Sequence, residues 1–205
     1  MKNKNNKVKI ILSLGLTLVA IFIFALKSLN IEKTNTLPVQ NELPERVKIG
    51  GAFELVDHKG EIATEKSWPD QHRLVFFGFT NCMMVCPTGL QNMTNILDAL
   101  DDQTRSKIQA LFITTDPERD DVKRMASYLE AFHETIIGLT GTTEQIKAVI
   151  DVYRVYAVKV ISADDYQMDH SAYLYLMSPD DEMIKMMRVN DNEEEIVAIL
   201  KKYLS

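Results

Sequence analysis

The sequence predicts a three-layer α/β domain, in which a central mixed β-sheet is flanked by helices, preceded by a single transmembrane helix. Two nearly continuous apolar runs of strand length, residues 74–79 and 108–114, are typical of strands buried on both faces of a sheet. Apolar residues at helical spacing follow each run, and a long uncharged run lies near the start. The chain has 205 residues, 46% hydrophobic and 25% charged, which excludes a disordered, collagen-like or disulfide-rich protein.

The N-terminal residues predict a membrane anchor and a tether. From Ile10 to Leu26 the chain holds 17 residues without a charge, and at about 1.5 Å per residue this helix spans roughly 26 Å, nearly a bilayer core. Four lysines precede the run, which keeps the N-terminus cytoplasmic and sends the rest across. We therefore expect a basic segment over 1–9, a transmembrane anchor over 10–27, a polar tether over 28–45 and a folded domain over 46–205.

A cleavable signal peptide is the alternative to an uncleaved anchor. The apolar run is longer than a typical signal-peptide core, and no clean A-x-A cleavage site follows it. The rest of the chain is acidic, with 18 basic against 29 acidic side chains over residues 31–205. Because such a domain repels phosphate backbones and shows no basic stripe with interleaved aromatics, nucleic acid is excluded as a partner.

The folded part is expected to begin with a β-hairpin extension. Residues 53–57 have the composition of a short strand, and residues 61–63 return after a turn at Gly60. The buried strand 74–79 follows. Apolar positions at 90, 93, 96, 97 and 100 then indicate an amphipathic helix whose opening turn tolerates Pro87.

The second buried strand, 108–114, leads into a second predicted helix. We expect this helix to start at Asp116 and Pro117, with Asp116 capping backbone N–H groups and Pro117 in the first turn. Its apolar face extends through Phe132, and Gly138 ends this region. Thr142 and Gln145 have capping-box spacing and open a third helix.

Strand character returns over residues 153–161, followed by a predicted loop, 162–171, and by strands over 172–177 and 183–189. A closing amphipathic helix covers 193–204. A strand–helix–strand unit followed by a β-hairpin and a last helix is the thioredoxin-like plan. The predicted fold is therefore thioredoxin-like, with the N-terminal β-hairpin as an extension.

The only two cysteines, Cys82 and Cys86, are four residues apart at the predicted strand-to-helix turn. If the helix begins among them, both sulfurs project from one face. A helix N-terminus lowers the pKa of a thiol and favours the thiolate, which is both the nucleophile and the metal ligand. The pair therefore supports either redox or metal chemistry. A purely stabilising disulfide is a third reading, although so short a loop removes little unfolded-chain entropy.

A metal site needs a donor beyond the two cysteines. Two thiolates leave zinc short of its usual four ligands, whereas soft Cu(I) is satisfied by two or three sulfur and nitrogen donors. His58, His72 and His133 fall in a turn, a polar loop and near a helix end, as surface histidines do. His170 precedes the strand 172–177, and in this plan that loop lies beside the cysteine turn. From position alone, His170 is either a ligand or an ordinary loop histidine.

Three motifs carry a family resemblance over about residues 45–204. They are GFTNCMMVCP at 78–87, TDPERD at 115–120 and DHS at 169–171. With them, the chain resembles the Sco/SenC family of membrane-tethered, thioredoxin-fold copper proteins that serve assembly of cytochrome c oxidase. The resemblance implies that Cys82, Cys86 and His170 are copper ligands for Cu(I) or Cu(II).

The resemblance also implies partners and a location. Copper would pass to the binuclear copper site of cytochrome c oxidase subunit II, with a copper donor or a thiol–disulfide partner protein upstream. In a two-membrane bacterium the chain would be a single-pass inner-membrane protein with its N-terminus inside and its domain in the periplasm.

Some residues near the motifs call for separate expectations. Met83 and Met84 stand where many relatives have a proline or an acidic residue, and we expect packing or docking rather than ligation from them. Met168 receives the same interpretation. Asp169 is expected to orient the imidazole of His170 or a nearby backbone group, with an exposed loop aspartate as the alternative.

Two functions of different classes follow from these residues. The first is a copper-binding assembly factor, a metallochaperone rather than an enzyme. The second is a thiol–disulfide oxidoreductase in which Cys82 and Cys86 reduce a partner disulfide. The two functions differ in their need for His170, because copper retention requires this residue and dithiol exchange should largely survive its loss. A redox or copper sensor is a weaker third reading. A peroxidase is weaker still, because the sequence does not place the required arginine and threonine around Cys82.

Overall fold

The computed structural model describes Phe24, residues 48–162 and residues 165–204. The predicted basic segment, anchor and tether therefore lie outside the described residues, Phe24 excepted. Among the residues described, no helix is both long and apolar enough to cross a membrane.

Nine strands and five helices make up the described part of the chain. The strands are β1 (Glu54–Asp57), β2 (Ile62–Thr64), β3 (His72–Gly78), β4 (Ile108–Thr114), β5 (Ile136–Thr140), β6 (Ala157–Ile161), β7 (Tyr166–His170), β8 (Tyr173–Met177) and β9 (Met183–Arg188). The helices are α1 (Val85–Asp98), α2 (Asp102–Arg105), α3 (Val122–Leu129), α4 (Thr143–Val152) and α5 (Glu193–Leu204).

Seven of these strands form one mixed sheet in the order β2-β1-β5-β4-β3-β8-β9. Strands β3, β4 and β5 are parallel, whereas β8 runs antiparallel to β3 and β9 antiparallel to β8. The sub-order β4-β3-β8-β9, with a helical crossover between β3 and β4, is the predicted thioredoxin-like plan. The β1–β2 hairpin extends the far edge by pairing with β5, so the mixed α/β fold and the predicted hairpin extension are confirmed.

Both faces of the sheet are covered, as the apolar runs predicted. Successive residues of β3 point to opposite faces. Leu74 and Phe76 pack in the core cluster that includes α1, α3 and α5, whereas Val75 and Phe77 pack in the cluster that includes α4. The central strand is therefore buried on both sides, and its carboxyl end at Gly78 leads directly into the cysteine turn.

Strands β6 and β7 form a separate two-stranded sheet, which corrects the loop predicted over 162–171. Tyr166, Met168 and His170 are half-buried and alternate with exposed Gln167 and Asp169, as expected for a strand. The sequence did not show this alternation, because most of these residues are polar. The preceding strand is also shorter than predicted. Helix α4 runs to Val152 with Tyr153 as its C-cap, and β6 begins only at Ala157.

Two further expectations are corrected around the second predicted helix. Helix α3 begins at Val122, where the Asp121 carboxylate accepts from the backbone N–H of Arg124 at 2.7 Å, so Asp116 caps no helix. The residues around Gly138 form strand β5 rather than the end of a helical region. A Cβ at Gly138 would lie 2.5 Å from Cδ1 of Leu129, so glycine there permits close packing of α3. The capping box of Thr142 and Gln145 is confirmed.

Candidate metal centre

The two cysteines lie at the turn that joins β3 to α1. Cys86 is the second residue of α1 and is fully buried, whereas Cys82 lies in the preceding turn and is partly exposed. The N-cap residue Met84 provides no side-chain cap, and instead the backbone N–H of Cys86 donates to Sγ of Cys82 at 3.4 Å. A helix N-terminus leaves such N–H groups without helical partners. The Cys82 sulfur is therefore held against the positive end of α1.

His170 lies at the end of β7 and reaches the buried cysteine. Its Nε2 is 3.4 Å from Sγ of Cys86, and its Nδ1 is 3.0 Å from the carbonyl oxygen of Ser171. Because a carbonyl only accepts hydrogen bonds, Nδ1 carries a proton, and Nε2 is the ring nitrogen that faces Cys86. The imidazole also meets the ring of Phe79 edge-on, with centroids 5.6 Å apart. The backbone and Phe79 thus orient the histidine toward the sulfur.

The two thiols have opposite acidities. Hydrogen bonding from the Cys86 thiol, assisted by His170 and by backbone N–H groups, holds the pKa of Cys82 far below its ordinary value. The same hydrogen bond to Cys82, together with burial, raises the pKa of Cys86. The partly exposed Cys82 is therefore the thiolate of the pair, and the buried Cys86 keeps its proton.

The three predicted donors meet at one place, but they do not form a finished chelate. Among the described residues, no group of three or more His, Cys, Asp or Glu side chains is arranged to hold a metal ion as it stands. Cys86 and His170 are already adjacent, and the Cys82 sulfur accepts a hydrogen bond from the backbone N–H of Cys86. Two sulfurs and one imidazole nitrogen are a donor set that suits Cu(I). The donor chemistry fits copper, provided that the Cys82 sulfur adjusts to join the other two.

The other histidines lie elsewhere in the fold. His72 begins β3, at the end opposite the cysteine turn. Nδ1 of His58 accepts from the backbone N–H of Gly138 at 3.1 Å, and Nδ1 of His133 accepts from that of Thr135 at 3.2 Å. These contacts give each of the last two a local structural role.

The methionines between the cysteines are not packed. Met83 is 92% exposed and Met84 is 75% exposed, so of the packing or docking expected for them, packing is wrong. Exposed thioethers beside the site leave the docking interpretation open. Met168 is half-buried on the same face of β7 as His170, where it lines a groove of about 520 Å³ with Tyr156 and Lys159.

The aspartates near the motifs serve the scaffold. Asp116 accepts from Nε of Arg119 at 2.5 Å and from the hydroxyl of Tyr166 at 2.7 Å. Asp169 accepts from the hydroxyl of Tyr156 at 3.3 Å, and Ser171 rather than Asp169 holds Nδ1 of His170. Sequence reasoning missed Arg119 and Tyr166, although Arg119 stands within the TDPERD motif.

The fold and this site define a class: a thioredoxin-like domain with a CxxxC pair at the strand-to-helix turn and a histidine brought against it. The SCO1/SenC family model matches residues 41–205. The chain belongs to this family.

Individual relatives agree with that assignment. An SCO2-like protein of Rickettsia felis is 36% identical over 204 residues, which cover 98% of this chain and 99% of the relative. Protein sco1 of Schizosaccharomyces pombe is 37% identical over 180 residues, covering 84% and 68% of the two chains.

Solved structures give the same result. Bradyrhizobium japonicum ScoI with copper bound is 42% identical at a TM-score of 0.70, covering 76% of this chain and 99% of that one. Yeast Sco1 with copper bound is 35% identical at a TM-score of 0.70, covering 77% and 88%.

Proposed function

We propose that this chain is a membrane-anchored copper carrier that binds Cu(I) or Cu(II) through Cys82, Cys86 and His170. It delivers copper to, or matures, the binuclear copper site of cytochrome c oxidase subunit II. The observation that carries the proposal is the 3.4 Å approach of His170 Nε2 to Cys86 Sγ beside the Cys82 sulfur. Similar proteins from Bradyrhizobium japonicum and yeast have been solved with copper bound, which supports copper as the cargo.

The site has properties that suit transfer rather than storage. Cys82 is partly exposed, so an incoming donor from a partner can reach the metal through it. Three protein donors satisfy Cu(I) without closing its coordination, whereas a structural site is usually closed by four. Exchange can therefore proceed by replacing one donor at a time, with Cys82 as the first to leave and the buried Cys86 as the last.

The test is direct transfer between proteins. The full chain, purified in detergent and loaded anaerobically with one equivalent of Cu(I), is mixed with the reduced copper-binding domain of an oxidase subunit II. Copper is then measured in each protein after separation. We expect copper to move to subunit II from the wild-type chain and from the control variant His133→Ala, whereas His170→Ala fails to carry it. Copper that stays on the wild-type chain would overturn the delivery role.

The anchor belongs to the same proposal. Residues 10–27 hold the protein in the inner membrane as a single pass, with the N-terminus inside and the domain in the periplasm. The positive-inside bias of the four preceding lysines supports this orientation. Intact mass spectrometry of membranes is expected to find the full-length chain. A mature species that lacks residues 1 to about 30 would instead identify a cleaved signal peptide.

A second function is supported by the state of the thiols. Cys82 and Cys86 are both free, and Cys82 is the more exposed and the more acidic. In a dithiol exchange the Cys82 thiolate attacks a partner disulfide, forms a mixed disulfide and releases one partner thiolate. Cys86 then passes its proton to the partner thiolate released in the first step and attacks Cys82, which releases the second partner thiolate and leaves a Cys82–Cys86 disulfide. Two electrons pass to the partner. The imidazole takes no part in the bond changes, so the reaction should largely survive His170→Ala, although that variant loses the hydrogen bond from His170 that helps to keep the pKa of Cys82 low.

A further inference from the structure

The hairpin that carries His170 has no strand partner outside itself. Strands β6 and β7 pair with each other, and among the described residues neither strand pairs with the seven-stranded sheet. Backbone contact at its base comes from the N–H of Ser171, which donates to the carbonyl oxygen of Tyr156 at 2.9 Å. Apart from its covalent connection to β8, which begins at Tyr173, the hairpin is held against the rest of the domain by contacts that involve side chains.

Those contacts concentrate at the end of β7 away from His170. The ring of Tyr166 lies between two cations, with Cζ of Arg119 at 3.8 Å and Nζ of Lys159 at 3.9 Å from its centroid. Its hydroxyl donates to Asp116 at 2.7 Å. Arg119 also donates from Nη1 to the carbonyl oxygen of Tyr166 at 3.1 Å, and Lys159 donates to Glu118 at 2.7 Å. We call these five residues the Arg119–Tyr166 clasp.

Within the clasp, the Asp116–Arg119 pair is better shielded than a surface ion pair, whereas the Lys159–Glu118 pair is exposed. The Asp116 side chain is 2% exposed and that of Arg119 is 22% exposed. Exposed pairs contribute little because water and salt screen them, whereas shielded pairs are screened less. Arginine also suits this place better than lysine, because its planar fork donates to Asp116 and to the Tyr166 carbonyl while its face covers the ring.

The segment that holds the clasp also holds the cysteine turn. The backbone N–H of Thr115 donates to the carbonyl oxygen of Gly78 at 2.7 Å. At the other end of the segment, the Asp120 carboxylate accepts from the backbone N–H of Thr80 at 3.0 Å and from its hydroxyl at 2.6 Å. Residues 115–120 are therefore bonded both to the strand end that leads to Cys82 and to the hairpin that presents His170.

We propose that Arg119 and Tyr166 are positioning residues for the copper site. Tyr166 and His170 project from the same face of β7, four residues apart, so fixing one ring fixes the direction from which the other approaches Cys86. The clasp sets that approach without touching the donors. This inference rests on the proposed function, because it concerns the assembly of the same three donors.

The first test reports on position and needs no copper. Hydrogen exchange of the full chain in detergent is compared between wild type, Arg119→Ala and Tyr166→Ala, with exposed Arg188→Ala as the control. We expect at least tenfold faster exchange of the β7 amides in both clasp variants and unchanged exchange in β3. Tyr166→Phe, which keeps the ring between the cations, should recover most of the protection. Unchanged exchange in β7 would overturn the proposal, as would equal loss of protection in β3 and β7.

The second test reports on the donors. Loss of residues that orient a ligand typically weakens metal affinity by about 10- to 100-fold, and we expect Arg119→Ala to weaken Cu(I) binding by about tenfold. The exposed control Arg188→Ala should leave Cu(I) affinity within twofold of wild type. Unchanged affinity in Arg119→Ala, or an equal loss in Arg188→Ala, would overturn the positioning role. A wild-type chain that binds no copper would refute the proposed function, while the exchange experiment would still decide whether the clasp positions the hairpin.

Discussion

Sγ of Cys86 lies 3.4 Å from Nε2 of His170, although 84 residues separate the two in sequence. The contact joins the first turn of α1 to the end of β7, two elements that share no backbone hydrogen bonds. The buried sulfur and Nε2 of the imidazole face each other, and the Cys82 sulfur is held nearby by the helix N-terminus. Two of the three side chains that the sequence predicts as copper donors are therefore brought together by the fold and not by proximity along the chain.

Packing behind Cys86 is tight, and Gly78 makes it possible. A Cβ at Gly78 would lie 2.9 Å from Sγ of Cys86 and 2.7 Å from Cε2 of Phe112. We expect Gly78→Ala to lower the free energy of unfolding by about 1–3 kcal/mol through overpacking and to weaken Cu(I) binding, because the sulfur must move. Urea denaturation measures the first effect. Gly51→Ala is the control, since its Cβ would meet Val152 at an ordinary 3.4 Å; equal stabilities of the two variants would refute the expectation.

The buried carboxyl of Asp120 gives stability a specific pH dependence. Burial raises its pKa, against hydrogen bonds from Thr114 and Thr80 that lower it, and the negative charge of Asp116 raises it further. The native state thus binds this proton more tightly than the unfolded chain. The contribution of Asp120 to the free energy of unfolding falls as pH rises from the ordinary aspartate pKa of about 3.9 through the raised value.

Asp120→Asn removes this titration. Its amide cannot accept all three hydrogen bonds that the carboxylate accepts, so we expect a loss of about 1–3 kcal/mol. The loss should be largest near pH 4 and shrink toward pH 7, as measured by urea denaturation across that range. A loss that grows with pH would mean that the three hydrogen bonds outweigh burial.

Replacing Met83 and Met84 tests whether a thioether belongs to the copper-binding donors. Because both side chains are largely exposed, the double variant Met83→Ser/Met84→Ser should change the free energy of unfolding by less than about 0.5 kcal/mol. Cu(I) affinity, measured by chelator competition, should stay within twofold of wild type. A loss of affinity as large as that of His170→Ala would make a thioether a ligand instead of part of a docking surface.

The core strands and the cysteine turn could be predicted because their signals are local. The apolar runs of β3 and β4 identify central strands, and a sole pair of cysteines before an amphipathic helix identifies the turn. Strand β7 was not predictable in the same way, because its residues are mostly polar. They form a strand only because they pair with β6. Propensity alone is a weak guide where pairing decides.

The first aspartate of the TDPERD motif, Asp116, shows a second limit of prediction from the sequence. Asp116 followed by a proline has the local pattern of a helix start, but Asp121 caps α3, and Asp116 bonds Arg119 and Tyr166 instead. Tyr166 is 50 residues away from Asp116, so no local pattern could pair them. The family resemblance predicted the three donors, whereas the contacts around them became visible only in the fold.

The most direct test of the three-donor site is a Cu(I) titration of the reduced full chain in detergent against a chromophoric chelator, without oxygen. Wild type is compared with His170→Ala and Cys82→Ser, and His133→Ala is the matched histidine control. We expect tight one-to-one binding that is lost in the first two variants and retained in the control. Weak binding that is indifferent to His170 would contradict it and leave the dithiol reductase as the function.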